Sequence, residues 1–177
     1  MGQKGRVMKR VKVSFDWSIL PLVRTLCLVA ALASVASAQT EPRVGKWELN
    51  LAKSTFSPGP PPKRQTLTFH AAGPHWVALL QGTDASGMPI NPDMNNLAIN
   101  FDGKDHPTAN ANYDTTAWKR IDANTYVAIR KKAGKIVLTS TNVISKDGKT
   151  MTITTKGVNA DGQSVNNVRV YDKVAKP

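Results

Sequence analysis

The side chains that most often carry out chemistry are few in this sequence and fall into no familiar catalytic or metal-binding spacing. The three histidines are His70, His75 and His106, and none lies in a His-x-His or Glu-x-x-His pair, the spacings typical of metal sites. The chain also lacks a Gly-x-Ser-x-Gly nucleophile motif and a glycine-rich phosphate loop. We therefore predict no catalytic residue, no metal and no cofactor, and a protein that is not an enzyme.

Cysteine chemistry is predicted to be absent from most of the chain as well. The single cysteine, Cys27, lies in an apolar segment close to the N-terminus. The chain after that segment can therefore form no disulfide and offers no thiol nucleophile or thiolate ligand.

The first 38 residues have the order of a secretion signal. Basic residues come first and are followed by an apolar run of 14 residues, 25–38, which ends in Ala36-Ser37-Ala38. That run is shorter than the roughly 20 residues that a membrane-spanning helix needs, although an uncleaved anchor is the alternative. We predict that residues 1–38 are a cleavable signal and 39–43 a short linker. The mature protein is then periplasmic or secreted, bacterial, and without a membrane span.

The net charge of +12 overstates how basic the mature domain is. Six Lys/Arg and one Asp lie in the first 38 residues, which leaves 18 basic and 11 acidic residues and a net charge of +7. These basic residues are spread along the chain and form no nucleic-acid-binding motif, so no nucleic-acid partner is predicted. Weak association with anionic envelope components is the partner that this surplus favours.

The mature region is patterned as β-strands throughout. In residues 44–51, Trp47, Leu49 and Leu51 alternate with polar side chains, a period of two that is typical of a half-buried strand. Similar segments follow at intervals of about ten residues, separated by turn signals such as Asp147-Gly148. The pattern predicts an all-β domain over residues 44–174, an up-and-down antiparallel meander of eight or nine strands. Closure into a barrel would hide the sheet edges, and a two-sheet β-sandwich is the alternative.

Two short motifs at the ends of this meander resemble the calycins, the superfamily of lipocalins and fatty-acid-binding proteins. Gly45-Lys46-Trp47 is similar to their first-strand Gly-x-Trp, and Arg169-Val170-Tyr171 is similar to a late basic element of the barrel. The resemblance implies a lipocalin-like barrel with Gly45 and Trp47 as its structural signature. It further implies that Arg169 either packs over Trp47 or, together with Tyr171, holds a ligand carboxylate. Residues 45–62 and 113–126 also resemble a group of small exported bacterial proteins without a known activity.

On this basis we expect a small, mainly apolar or amphipathic ligand with an acidic group. Arg169 and Tyr171 are its candidate polar anchors, and Trp118 and Tyr126 are candidate apolar walls. The alternative is a non-enzymatic envelope domain with a filled core and a positive surface.

The parity of the last strand leaves one point open. Arg169 and Tyr171 share a face with Val165, and the neighbouring valines occupy the opposite face. If those valines face the core, Arg169 is an exposed charge. If Arg169 faces a cavity, its charge needs a partner there.

Overall fold

The structure is a computed structural model that describes residues 41–72, 75–90 and 96–175. The predicted signal at residues 1–38 lies outside the described residues, as do residues 39 and 40 of the predicted linker. Within the described part the chain forms ten strands: β1 (Gly45–Leu49), β2 (Arg64–Ala72), β3 (His75–Thr83), β4 (Asn96–Ile99), β5 (His106–Pro107), β6 (Thr115–Arg120), β7 (Thr125–Lys132), β8 (Lys135–Ile144), β9 (Thr150–Val158) and β10 (Ser164–Lys173). One short 3-10 helix, Leu51–Lys53, follows β1. The all-β prediction is therefore confirmed, with the two-residue β5 as a strand that the sequence pattern did not indicate.

All ten strands belong to one antiparallel sheet with the order β4-β3-β2-β1-β10-β9-β8-β7-β6-β5. Strands that follow each other in the chain are neighbours in the sheet, except β4 and β5, which form its two edges. The first and last strands, β1 and β10, are also paired, with Leu49 opposite Tyr171. This pairing joins the first and last strands in the middle of the sheet. A single sheet forms among the described residues, so the two-sheet alternative is wrong.

The sheet curls until the regions at its two ends meet. Phe101, just after β4, has its ring centroid 6.3 Å from that of Trp118 in β6 and 5.2 Å from that of Tyr126 in β7. The Gly103 amide also donates to the Trp118 carbonyl at 3.0 Å. These contacts give the meander an inside and an outside, as the predicted lipocalin-like barrel requires.

Large side chains fill one end of this interior. Trp47, Tyr126, Met151 and Tyr171 are each completely buried there, as is Ile144 apart from 2% of its surface. They come from five adjacent strands of the sheet, β1, β10, β9, β8 and β7, whose inner faces the curl turns toward one another. The barrel is therefore solid at this end, which we call the closed end.

The structure shows which face of β10 is turned to the barrel interior. Val165 and Tyr171 are buried, Asn167 and Arg169 face the same way, and Val174 beyond the strand is exposed. The valines at 168 and 170 lie on the outer side of the sheet and are only half-buried. The side chain of Arg169 therefore points into the barrel interior and not to the outer surface.

Candidate functional site

Beyond the closed end, the barrel interior contains a cavity of about 380 Å³. Its size falls within the range of roughly 300–1,000 Å³ that is usual for small-molecule sites. Part of its lining is apolar, and the residues that form that part are Leu67, Phe69, Ala78, Leu80, Ile99, Trp118, Leu138, Ile153 and Val165. Exposed residues of the loop before β6, Ala109 and Asn110, line the other end, where the cavity reaches the surface.

Three arginines, Arg43, Arg130 and Arg169, line the same cavity. No Asp or Glu is among its described lining residues. None of the three guanidinium groups forms an ion pair with a described carboxylate. Because charged groups in a protein interior are normally paired, an interior with three positive charges and no facing carboxylate is an electrostatic match for an anion.

Arg130 and Arg169 lie in a polar band that crosses four strands, β7 to β10. Arg130 in β7 donates to the Ser140 hydroxyl in β8 at 2.7 Å, and Ser140 shares a hydrogen bond of 2.8 Å with the Thr155 hydroxyl in β9. Thr155 is the register partner of Asn167 in β10, two residues before Arg169. Burial lowers the pKa of Arg130, and the nearby charge of Arg169 acts in the same direction. The two guanidinium groups therefore repel each other across the cavity.

Arg169 is not fully satisfied by the protein. Its Nε is buried and has no hydrogen-bond partner. A buried N–H without an acceptor carries a desolvation penalty of about 1–3 kcal/mol. A ligand oxygen at this position would remove that penalty and neutralise the charge.

Arg43 enters the cavity from the segment just before β1, and four contacts fix that segment. The Val44 amide donates to the Glu41 carbonyl at 3.1 Å, Lys173 Nζ donates to the Pro42 carbonyl at 2.8 Å, and Trp47 Nε1 donates to the Arg43 carbonyl at 2.9 Å. The Glu41 carboxylate also pairs with Arg120, with 3.0 Å between Arg120 Nη1 and Glu41 Oε2. These contacts turn the backbone so that the side chain of Arg43 points inward and is only 2% exposed.

Two of the four predicted site residues line the cavity, and two do not. Arg169 and Trp118 are in its wall. Tyr171 and Tyr126 are completely buried within the closed end, next to the cavity. Their hydroxyls already have protein partners, since Tyr171 donates to Gln65 Oε1 at 2.6 Å and Tyr126 donates to Glu41.

The buried position of both tyrosines keeps their hydroxyls protonated. Burial raises the pKa of Tyr171, although the nearby Arg169 acts in the opposite direction. Burial also raises the pKa of Tyr126, and its hydrogen bond to the Glu41 carboxylate raises it further. Neither phenol therefore adds a negative charge that would neutralise the arginines.

The resemblance also implied a basic residue over Trp47, and the structure places Lys173 there instead of Arg169. Lys173 Nζ lies 4.8 Å from the centre of the Trp47 ring, and the two residues are register partners in β10 and β1. Gly45 makes room for this arrangement. Its φ of +122° disfavours other residues, and a Cβ there would lie 3.3 Å from Lys173 Cε.

Sequence reasoning missed Arg43 and Arg130. Arg130 was open to detection, because it lies four residues after the inward-facing Tyr126 and therefore shares its face of β7. Arg43 lies outside every strand, in the segment that the sequence predicts as a linker, and no periodicity applies to it.

Other kinds of site are not found among the residues that the structure describes. No group of three or more His, Cys, Asp or Glu residues is placed to hold a metal ion in this part of the chain. Over the same residues, no helix is long and apolar enough to cross a membrane.

Comparison with known proteins yields a structural similarity only. No family model and no curated protein matches the chain. Among solved structures, the chain is similar to the zebrafish ileal bile acid-binding protein, whose crystal structure was determined in complex with cholic acid. The TM-score is 0.49 at 15% sequence identity, over 75% of this chain and 99% of that one.

Proposed function

We propose that this protein binds a small amphipathic molecule, with the apolar part inside the barrel cavity and an anionic group on Arg130 and Arg169. The observation that carries the proposal is the cavity of about 380 Å³ with arginines and no described carboxylate in its wall. The unpartnered Nε of Arg169 supports an oxygen acceptor as the missing partner.

The apolar part of the cavity lining supplies most of the affinity in this proposal. Each CH2 group transferred from water to that wall contributes about 0.8 kcal/mol. A charge-assisted hydrogen bond to a guanidinium contributes about 1.5–3 kcal/mol. The arginines therefore orient the ligand and select its charge, and the leucines, Phe69 and Trp118 hold its chain.

The test compares decanoate with decanol, which have the same chain length and differ in charge at neutral pH. Binding is measured by isothermal titration and by the fluorescence of the tryptophans, since Trp118 lies in the cavity wall. We expect decanoate to bind at least tenfold more tightly than decanol. Equal affinities would show that the arginines do not select an anionic ligand. If neither compound binds, the proposal is refuted.

We also propose that binding takes place outside the cytoplasm, after removal of residues 1–38. The support is the basic, apolar and small-residue order of that segment. Mass spectrometry of the protein recovered from a bacterial periplasm or culture medium is expected to give a chain that begins at Gln39. Recovery of the full-length chain from the membrane fraction would favour the uncleaved anchor.

The envelope-domain alternative required a filled core, and a cavity of about 380 Å³ does not favour it. Weak association of the positive surface with anionic envelope components stays a prediction that is compatible with ligand binding.

A further inference from the structure

Arg43 brings a positive charge to the closed end of the cavity, apart from the pair in the polar band. Its guanidinium carbon lies 4.2 Å from the ring centre of Phe69 and 4.8 Å from those of Trp118 and Tyr126. Aromatic faces attract a cation, so these three rings hold the guanidinium in place. The ring faces are not conventional hydrogen-bond acceptors, so the N–H groups of Arg43 need acceptors elsewhere.

Those acceptors are mostly missing. Arg43 donates to Asn142 Oδ1 over 3.4 Å, which is long for a hydrogen bond to a charged donor. Its Nε and Nη1 are buried and have no partner. Arg43 therefore lines the cavity as a cation with two N–H donors that have no acceptor, and an anion that reached them would supply one.

The protein only partly compensates this charge. Glu41 is the one described carboxylate that influences Arg43, and it already pairs with Arg120 and accepts from the Tyr126 hydroxyl. Burial lowers the pKa of Arg43 to about 10, so the group is still charged at neutral pH.

The sheet register places the residue that contacts Arg43 two strands away from Arg169. Asn142, which contacts Arg43, and Arg169 are register partners of Ile153 on opposite sides of β9. Two strand spacings therefore lie between the backbones of Asn142 and Arg169, or about 10 Å. The electrostatic neighbours of Arg43 are Tyr126 and Glu41, whereas Arg130 is influenced by Arg169. Arg130 donates to Ser140, two residues before Asn142 on the same face of β8, so the contacts of Arg43 and Arg130 are about 7 Å apart along that strand.

We propose that the cavity has two anion subsites, one at Arg130 and Arg169 and one at Arg43, and that its ligand carries two anionic groups joined by an apolar segment. This inference rests on the proposed function, because the second anion subsite lies in the same ligand cavity.

The experiment titrates the protein with linear diacids from octanedioate to dodecanedioate, each against the monoacid of equal length. Using a series ensures that one poorly matched length does not decide the result. We expect at least one diacid to bind tenfold or more tightly than its monoacid at neutral pH. The contact between its second carboxylate and the Arg43 guanidinium should more than compensate the cost of removing that carboxylate from water. If every diacid binds equally or more weakly, the second subsite does not exist.

Arg43→Met is expected to reverse the order of affinities. Without that guanidinium, the second carboxylate would be buried without a partner, so the diacid should then bind more weakly than the monoacid. Arg43→Lys keeps the charge but not the planar donors, and should retain part of the preference. Arg64→Met is the matched control, since Arg64 is exposed at the start of β2 and does not line the cavity.

Two results would separate the failure of this inference from that of the proposed function. If monoacids bind and Arg43→Met leaves the ratio between diacid and monoacid unchanged, the Arg43 subsite is refuted and the proposed function stands. If neither the monoacids nor the diacids bind, the proposed function is refuted and this inference with it. The comparison on the unaltered protein decides the matter even if Arg43→Met does not fold.

Discussion

Arg169→Met should reduce the affinity for decanoate by about 10- to 150-fold while leaving the affinity for decanol nearly unchanged. The range corresponds to the loss of a charge-assisted contact of about 1.5–3 kcal/mol. Methionine keeps much of the apolar stem, so the cavity stays close to its present size. Isothermal titration of both compounds against the variant and the unaltered protein measures the effect.

The same substitution should not destabilise the unliganded protein. Arg169 has a buried Nε without a partner and faces the like charge of Arg130. Replacing an unpaired interior charge by an apolar side chain of similar length is often neutral or stabilising. We therefore expect an equal or higher midpoint of thermal unfolding for Arg169→Met, as for a residue kept for binding at the expense of stability. A lower midpoint together with unchanged decanoate affinity would identify Arg169 as a structural residue.

Trp47→Ala should lower the free energy of unfolding by about 3–5 kcal/mol, the usual range for truncating a buried tryptophan. Trp47 is completely buried in β1, donates to the Arg43 carbonyl and lies against Lys173. The substitution leaves a cavity in the closed end and also leaves the Arg43 carbonyl without this donor. Chemical denaturation of the variant provides the measurement.

Trp76→Ala is the matched control for that experiment. Trp76 is only half-buried, and its ring centroid lies 6.4 Å from that of Phe101. Trp76→Ala should therefore lower the free energy of unfolding by clearly less than Trp47→Ala does. Similar losses at both positions would mean that the closed end does not depend on Trp47.

Trp47→Ala should also weaken binding of diacids more than binding of monoacids. The indole donates to the backbone carbonyl of Arg43, so its loss frees the segment that positions that side chain. This effect arises only if Arg43 receives a carboxylate, and it links the stability of the closed end to the second subsite.

The sequence predicted the strands well because strand formation leaves a local signal. The alternation over residues 45–49 corresponds to β1, and Asp147-Gly148 corresponds to the turn between β8 and β9. The prediction was wrong for Leu51, which lies in the 3-10 helix after β1 and is 41% exposed. Where the signal was short it failed, since the pair His106–Pro107 is too brief to show any period. Strand β5 therefore appeared only in the structure.

The candidate site was predicted less completely, because it depends on which face is inside and on contacts between distant residues. Alternation placed Arg169 and Tyr171 on one face but did not say which face is buried. Trp118 and Arg169 line the cavity, yet the partners that keep Tyr126 and Tyr171 out of it, Glu41 and Gln65, are 85 and 106 residues away.

By itself, then, the sequence determined an antiparallel meander and the pairing of residues by face, because both follow from the period of two along each strand. Three features depend on the curl of the sheet and were known only from the tertiary structure: the cavity, the inward direction of Arg169 and the contact of Arg43 with the Phe69 ring. The physical reason is that enclosure and unpaired charge are properties of residues brought together from eight of the ten strands and from the segment before β1. Local periodicity carries no information about such distant neighbours.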